Sequence, residues 1–251
     1  MIIYGINPVL EALRAGRAKE LRVGDRADGR LKQLLALAAE RGVRVRRVPV
    51  DALDRDARRG GQHAVHQGVV ADVEKSADYS IDEIVRAASG PPLIVVLDGI
   101  EDPHNLGAIL RTADAAGVDG VVIQSRRSAA RDGAAAKASA GAVAHVKIAE
   151  VVNIARAVEE LKEAGVWTIG LAGEGPESYE TIDFALPTAL VLGAEGAGLR
   201  RLIRERCDRL ASIPMRGHVT SLNVSVAAGI VLFEAVRQRS LKNPDRPGKR
   251  G

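Results

Sequence analysis

Three loops hold the residue types that could do chemistry. The first runs Asp98-Gly-Ile-Glu-Asp-Pro-His-Asn105-Leu-Gly107-Ala-Ile-Leu-Arg111. Asn105 can cap a helix, Gly107 lets a ligand approach the main chain, and Arg111 stands about one turn further in, within reach of the same mouth. Taken alone, the pair also reads as a helix cap and a surface arginine. The second is Gly193-Ala-Glu195-Gly196-Ala-Gly198-Leu-Arg200-Arg201, whose glycines leave main-chain amides open to a ligand. Glu195 there disfavours a phosphate and suits a cationic or neutral polar group. The third is Pro214-Met215-Arg216-Gly217-His218-Val219-Thr220-Ser221-Leu222-Asn223-Val-Ser225. Thr220 or Ser221 can cap a helix from Leu222 to Arg237, and Asn223, polar at the start of an apolar helix, needs a partner.

Each loop follows a continuous aliphatic run: Leu93 to Leu97, Ala189 to Leu192 and Arg209 to Ile213. Similar runs lie at Gly120 to Ile123, His145 to Ile148 and Val166 to Leu171. Strands without polar alternation are covered on both faces, which predicts an α/β domain with a parallel sheet. Ligands in such sheets bind beyond the carboxyl ends of the strands, where these loops fall. Trp167 and Phe184 read as core or edge packing. The helix after Leu222 is apolar nearly all round as far as Phe233, so burial on every side, including at a subunit interface, is expected.

Upstream, residues 1 to 73 read as a small α/β unit. Its expected elements are a helix from Asn7 to Ala15 capped by Asn7, a strand at Glu20 to Val23, a helix from Arg30 to Arg41 and strands at Val43 to Val50 and Gly68 to Val73. Between the last two, RRGGQHAVHQ is expected to be an exposed basic loop. Residues 75–91 form a linker with one short amphipathic helix, and 241–251 a polar, frayed basic tail.

Composition narrows the partners. Only six of 251 residues are aromatic while 46% are hydrophobic, so the rows of rings on which single-strand binders stack bases cannot be built. Net charge is +4, distributed as +5 over residues 1–75, −6 over 76–235 and +5 over 236–251. The basic ends, with Arg41, Arg44, Arg46 and Arg47 and then Arg55, Arg58 and Arg59, suit nucleic-acid phosphates. No apolar run approaches a membrane span, and no signal peptide is read at the N-terminus, so a cytoplasmic protein is expected. Cys207 is the only cysteine. It excludes an internal disulfide and a multi-cysteine metal site, and reads as a small residue on a helix face.

Together the loops resemble those of the SpoU/TrmH family of RNA ribose 2′-O-methyltransferases, in the SPOUT superfamily. The resemblance rests on Asp102-Pro-His-Asn-Leu-Gly-Ala with Arg111, Leu190-Val-Leu-Gly-Ala-Glu-Gly, Ile213-Pro-Met and Ser221-Leu-Asn-Val-Ser-Val-Ala. Residues 1–74, from Tyr4-Gly-Ile-Asn-Pro-Val to His63-Ala-Val-His-Gln-Gly, are similar to the L30e-like substrate-binding domain of those enzymes.

The resemblance implies a trefoil-knot domain over residues 92–240 that binds S-adenosylmethionine and dimerises through its knot helices, with no metal. It implies methylation of a ribose, with a guanosine of 23S ribosomal RNA the expected target. A transfer RNA, another ribosomal site, or a non-catalytic RNA-binding role are the alternatives. A nicotinamide-dependent oxidoreductase is disfavoured because the glycines come in G-x-x-G-x-G order on a late strand. By position, Gly193, Gly196, Ile213, Met215 and Leu222 would hold the cofactor. Arg111, Asn105, Glu195, Ser221 and Asn223 would form the reactive site, and Arg58, Arg59, His63 and Arg111 would meet RNA. His218 is read as facing RNA or solvent.

Overall fold

Apolar residues of the N-terminal stretch segregate to the two faces of a small sheet. The structure, a computed structural model, describes residues 2–24, 29–58, 66–74, 79–125 and 145–242. Strands β1 (Ile2–Tyr4), β2 (Ala18–Gly24), β3 (Arg44–Val48) and β4 (Val69–Val73) pair in the order β1-β4-β2-β3. β4 is antiparallel to β1 and β2, and β2 is parallel to β3. Helices α1 (Ile6–Arg14) and α2 (Gly29–Glu40) place Val9, Leu13 and Leu34 in one core with Leu21, Val23 and Val69. On the other face α3 (Val50–Arg58) packs Leu53 and Ala57 against Tyr4 and Val70. This helix corrects the expectation of a strand reaching Val50 and a loop from Arg58. The one-turn spacing of Leu53 and Ala57 gives a single apolar stripe on an otherwise charged helix.

A second correction concerns α1. Asn7 lies inside the helix and Gly5, with φ 96°, precedes it. The Ile6 amide donates to Gln67 Oε1 at 3.1 Å, so a distant side chain takes the place of a local cap. Next to it, His66 Nδ1 accepts from the Gly68 amide at 2.9 Å, and its Nε2 lies 3.2 Å from Asp54 of α3. The exit of the basic segment is thereby pinned to two helices. Arg59 and His63, inside that segment, lie outside the described residues.

The second sheet contains β5 (Leu93–Asp98), β6 (Gly120–Gln124), β7 (Ile148–Val151), β8 (Trp167–Leu171), β9 (Glu177–Ser178), β10 (Thr188–Gly193) and β11 (Arg209–Ser212). Their order is β7-β6-β5-β10-β8-β11-β9, and every pairing is parallel. One face is covered by α4 (Ile81–Arg86), α6 (Ile154–Glu163) and α7 (Arg201–Arg206), which bury Ile84, Val158, Leu161 and Ile203 against Ile94, Val96, Val122, Ala189 and Val191. Helix α5 (Pro103–Ala115) follows β5, and its first turns, Asp102–Arg111, group with the first compact unit. The last helix, α8 (Val224–Lys242), lies against β10.

Several expectations shift here. The run expected to pair from His145 pairs from Ile148, because Val121 of β6 takes Ile148 as its partner and His145 lies in a turn. Phe184 is buried, but Trp167 is half exposed at the start of β8. Cys207 is not on a helix face. It ends α7, where burial first and the Asp208 carboxylate second push its thiol up to about 12. Helix α8 starts at Val224 instead of Leu222, and it is not buried on every side in this chain. Val226 and Phe233, seven residues apart on one face, are each 51% exposed.

The far end of α8 closes the amino-terminal edge of the sheet. Arg239 donates through Nε to Phe184 O (2.9 Å), through Nη1 to Pro91 O (2.6 Å), and through Nη2 to Pro92 O and Leu186 O (both 3.0 Å). Gln238 Nε2 donates to Ile182 O at 3.0 Å, and its Oε1 accepts from the Phe184 amide at 2.8 Å. One guanidinium thus satisfies four carbonyls from two loops. Arg239→Ala is expected to lower stability by about 2–3 kcal/mol, with Arg239→Lys recovering only part because an ammonium lacks the planar fork. Urea unfolding should show a lower midpoint with an unchanged slope.

Candidate functional site

The two central strands end level with one another. β5 and β10 pair from Leu93 with Thr188 through to Asp98 with Gly193, so the loops after them leave the sheet side by side. Beyond Gly193 the chain turns back on itself. The Gly198 amide donates to Ala194 O at 2.8 Å, and Ala194 and Gly198 form an antiparallel bridge. Gly196 and Gly198 have φ of 76° and 65°, a region that favours glycine.

The fold-back explains Gly193 in steric terms. A Cβ there would lie 2.1 Å from the carbonyl carbon of Gly198, so the close approach belongs to the loop's own backbone. The amides of this loop are therefore only partly open, which narrows the expectation that three glycines free the whole stretch. Glu195, Gly196 and Ala197 form the exposed tip.

Glu195 is met from the third loop. Asn223 Nδ2 donates to Glu195 Oε1 at 3.4 Å, at the long end of the hydrogen-bond range. The orientation of the Asn223 amide follows from its other end, where Oδ1 accepts from the Ser225 amide at 2.9 Å and from Ser225 Oγ at 2.6 Å. Asn223 is thus the cap of α8, and Thr220 and Ser221, expected to cap it, lie exposed in the preceding loop. Residues Ile213–Asn223 form no helix or strand, which leaves their main chain outside regular pairing. Ile213 and Leu222 are half-buried, and Met215 is exposed.

Asn105 and Arg111 both stand on α5. The helix opens at Pro103 with Asp102 Oδ1 accepting from the His104 amide at 3.0 Å, so Asp102 does the capping expected of Asn105. Six positions apart, the two point about 120° away from each other. Asn105 is buried and Arg111 exposed. The structure therefore joins Glu195 with Asn223, leaves Ser221 in the neighbouring loop, and sets Asn105 and Arg111 on different faces of one helix. Among the described residues no cluster of His, Cys, Asp and Glu could hold a metal ion, and no helix is long and apolar enough to cross a membrane.

Two residues of the mouth escaped the reading of the sequence. Asp98 ends β5 with 1% exposure and is salt-bridged to Arg200. The usable signal was a carboxylate closing an otherwise aliphatic strand, since a buried charge requires a partner.

Two substitutions separate the roles of the loop glycines. Gly193→Ala is expected to drive the 194–200 segment off the sheet, because backbone cannot yield to a contact of 2.1 Å. Trypsin should then cut at Arg200 or Arg201 in the folded protein. Gly196→Ala has open space around its Cβ and should cost only the left-handed backbone penalty of about 1–2 kcal/mol, without new cleavage.

Comparison with known proteins fits this geometry. Residues 92–233 match the SpoU rRNA Methylase family, and residues 2–79 match the RNA 2′-O ribose methyltransferase substrate-binding family. The 23S rRNA (guanosine-2′-O-)-methyltransferase RlmB of Pseudomonas putida is 44% identical over 246 residues, covering 96% of this chain and 97% of that protein. The RlmB of Ralstonia nicotianae is 49% identical over 218 residues, 86% of each. Among solved structures, the SpoU methyltransferase AviRb from Streptomyces viridochromogenes in complex with AdoMet superposes with a TM-score of 0.78 at 29% identity, covering 95% of this chain and 90% of that one. The AdoMet-bound rRNA methyltransferase from Sinorhizobium meliloti gives 0.73 at 29% identity, covering 94% and 86%. With both of its halves matched and relatives this similar along nearly its whole length, the chain belongs to the SpoU family of RNA 2′-O-ribose methyltransferases.

Proposed function

We propose that this chain methylates the ribose 2′-hydroxyl of a guanosine in 23S ribosomal RNA, with S-adenosylmethionine as the methyl donor. The observation that carries the target is the near-full-length similarity to proteins named for that reaction. In this reading residues 1–74 hold the RNA and 92–240 carry the transfer; the expected linker 75–91 instead contributes α4 to the core of the second sheet, and 241–251 add a basic tail. The reaction takes place in the cytoplasm, where ribosomal RNA is made.

The residues present suit the cofactor. Main chain outside regular pairing at Ile213–Leu222, the partly buried aliphatic groups of Ile213 and Leu222, and exposed Met215 can receive an adenosine. Gly193 and Gly196 border the same mouth, and Glu195 matches a cationic ligand. The donor supplies an electrophilic methyl group on a sulfonium. The protein's part is alignment, which can lower a barrier by roughly 7–11 kcal/mol in well-oriented cases. Glu195 and Asn223 form the polar wall, with Ser221 in the loop beside them.

A guanidinium makes a poor general base, so the part of Arg111 is electrostatic. It clamps the target phosphate and stabilises developing negative charge on the attacking oxygen, while a phosphate oxygen or water accepts the proton. The segment before α8 and α8 itself make the knotted end of the family fold. The exposed Val226 and Phe233 are the face through which two copies associate.

RNA is gripped by the basic face of the first unit. β3 is an edge strand, and Arg44 and Arg46 project from it on one face, 77% and 57% exposed. Both lie at long range from the same carboxylate, Glu20, at 3.9 and 3.8 Å. Arg58 is exposed at the end of α3. Arg59 and His63 belong to the same grip.

Two tests follow. Arg111→Lys should remove most turnover while calorimetric binding of S-adenosylmethionine is kept, and near-wild-type turnover would sink the clamp. Loss of cofactor binding in the unmodified protein would favour a non-catalytic RNA-binding role. The double change Arg44→Gln and Arg46→Gln should weaken RNA binding and reduce the slope of log affinity against log salt by about 1.4–1.8. An unchanged slope would place the grip elsewhere. Mapping of methylated riboses in RNA from a deletion strain separates the 23S guanosine from a transfer RNA or another ribosomal site.

A further inference from the structure

A carboxylate buried at the end of a parallel strand has to be held by something. Asp98 has a fully buried side chain, and both of its oxygens are taken by one residue. Oδ2 accepts from the Arg200 backbone amide at 3.0 Å, and Oδ1 accepts from Arg200 Nε at 2.6 Å, with Nη2 also against it. The guanidinium continues outward: Nη2 donates to Gln124 Oε1 at 3.3 Å, and Gln124 Nε2 donates to Val152 O at 3.1 Å. The network spans the carboxyl ends of β5, β6 and β7 and the far end of the glycine loop.

Its placement gives it a direction of action. Asp98 is the in-register neighbour of Gly193, where the loop begins, and Arg200 is where the loop ends. By drawing Arg200 down to β5, the carboxylate lays the Gly198 backbone onto Gly193, which only a residue without a side chain tolerates. The turn between them then presents Glu195 outward, at 3.4 Å from Asn223. We infer that Asp98 and Arg200 are positioning residues for methyl transfer, forming a latch that sets the glycine loop and so places Glu195 against Asn223. The inference rests on the reading of Glu195 as part of the transfer site. A merely stabilising ion pair is the competing account, although buried pairs often contribute little net stability.

The decisive measurement is turnover of Asp98→Asn in two backgrounds, wild type and Glu195→Gln. Asparagine keeps the shape and one acceptor but loses the charge that holds the three donors of Arg200. If the latch acts through Glu195, Asp98→Asn lowers turnover by at least about tenfold in the wild-type background and by less than about threefold once Glu195 is already changed. Equal fold losses in the two backgrounds would overturn the latch and leave Asp98 as a structural residue. Should Glu195→Gln alone leave turnover unchanged, the assignment of Glu195 fails and the latch fails with it. Arg200→Gln, altering a half-exposed side chain, repeats the test without entering the core if Asp98→Asn does not fold. In both latch variants, amide hydrogen exchange at Gly198 and Leu199 should speed up while that of Val95 and Val191 is unchanged, and unchanged exchange at Gly198 would also count against the latch.

Discussion

Everything the molecule can do at its ligand-binding edge depends on the parallel register of β5 and β10. Parallel strands cannot be joined by a tight turn, so each must leave the sheet through a loop and return by a helix on one of the faces. Pairing Leu93 with Thr188 makes both strands finish level, at Asp98 and Gly193. Two loops far apart in the chain are thereby issued from adjacent points. β8 and β11 extend the same geometry outward, and the loop from Ile213 to Asn223 leaves from that side.

That register also explains how charge is tolerated beside a fully aliphatic core. A carboxylate at Asp98 would be costly in isolation, but it sits where a main-chain amide and a guanidinium can both reach it. The same economy recurs at the opposite end of the sheet. Arg239 there donates to four carbonyls from two loops. In both places one arginine ties several acceptors at the end of the sheet through a single side chain.

Much of this was legible in the residues, and the failures have physical reasons. The unbroken aliphatic runs located the second sheet, because burial on both faces removes polar alternation. The chemistry-bearing loops fell at the carboxyl ends for the same reason. Caps were read less well: Asn7, Asn105 and Ser221 have the right side chains, yet the work is done by Gln67, Asp102 and Asn223. Capping depends on where the chain enters a helix, which tertiary packing sets. Helix α3 was missed because only Leu53 and Ala57 mark its buried face. The joining of Glu195 to Asn223 could not be read from spacing, since 28 residues and a strand separate them.

The four-carbonyl contact of Arg239 also sets a timetable for synthesis. Its partners Pro91 and Pro92 precede β5, the first strand of the second sheet to be made, and 147 residues separate Arg239 from Pro92. At roughly 5–20 residues per second, a ribosome takes roughly 7–30 s to produce the arginine after those prolines have emerged. Throughout that interval the amino-terminal edge of the sheet has no closing partner. The amino-terminal end of the sheet can therefore be completed only after α8 has been made.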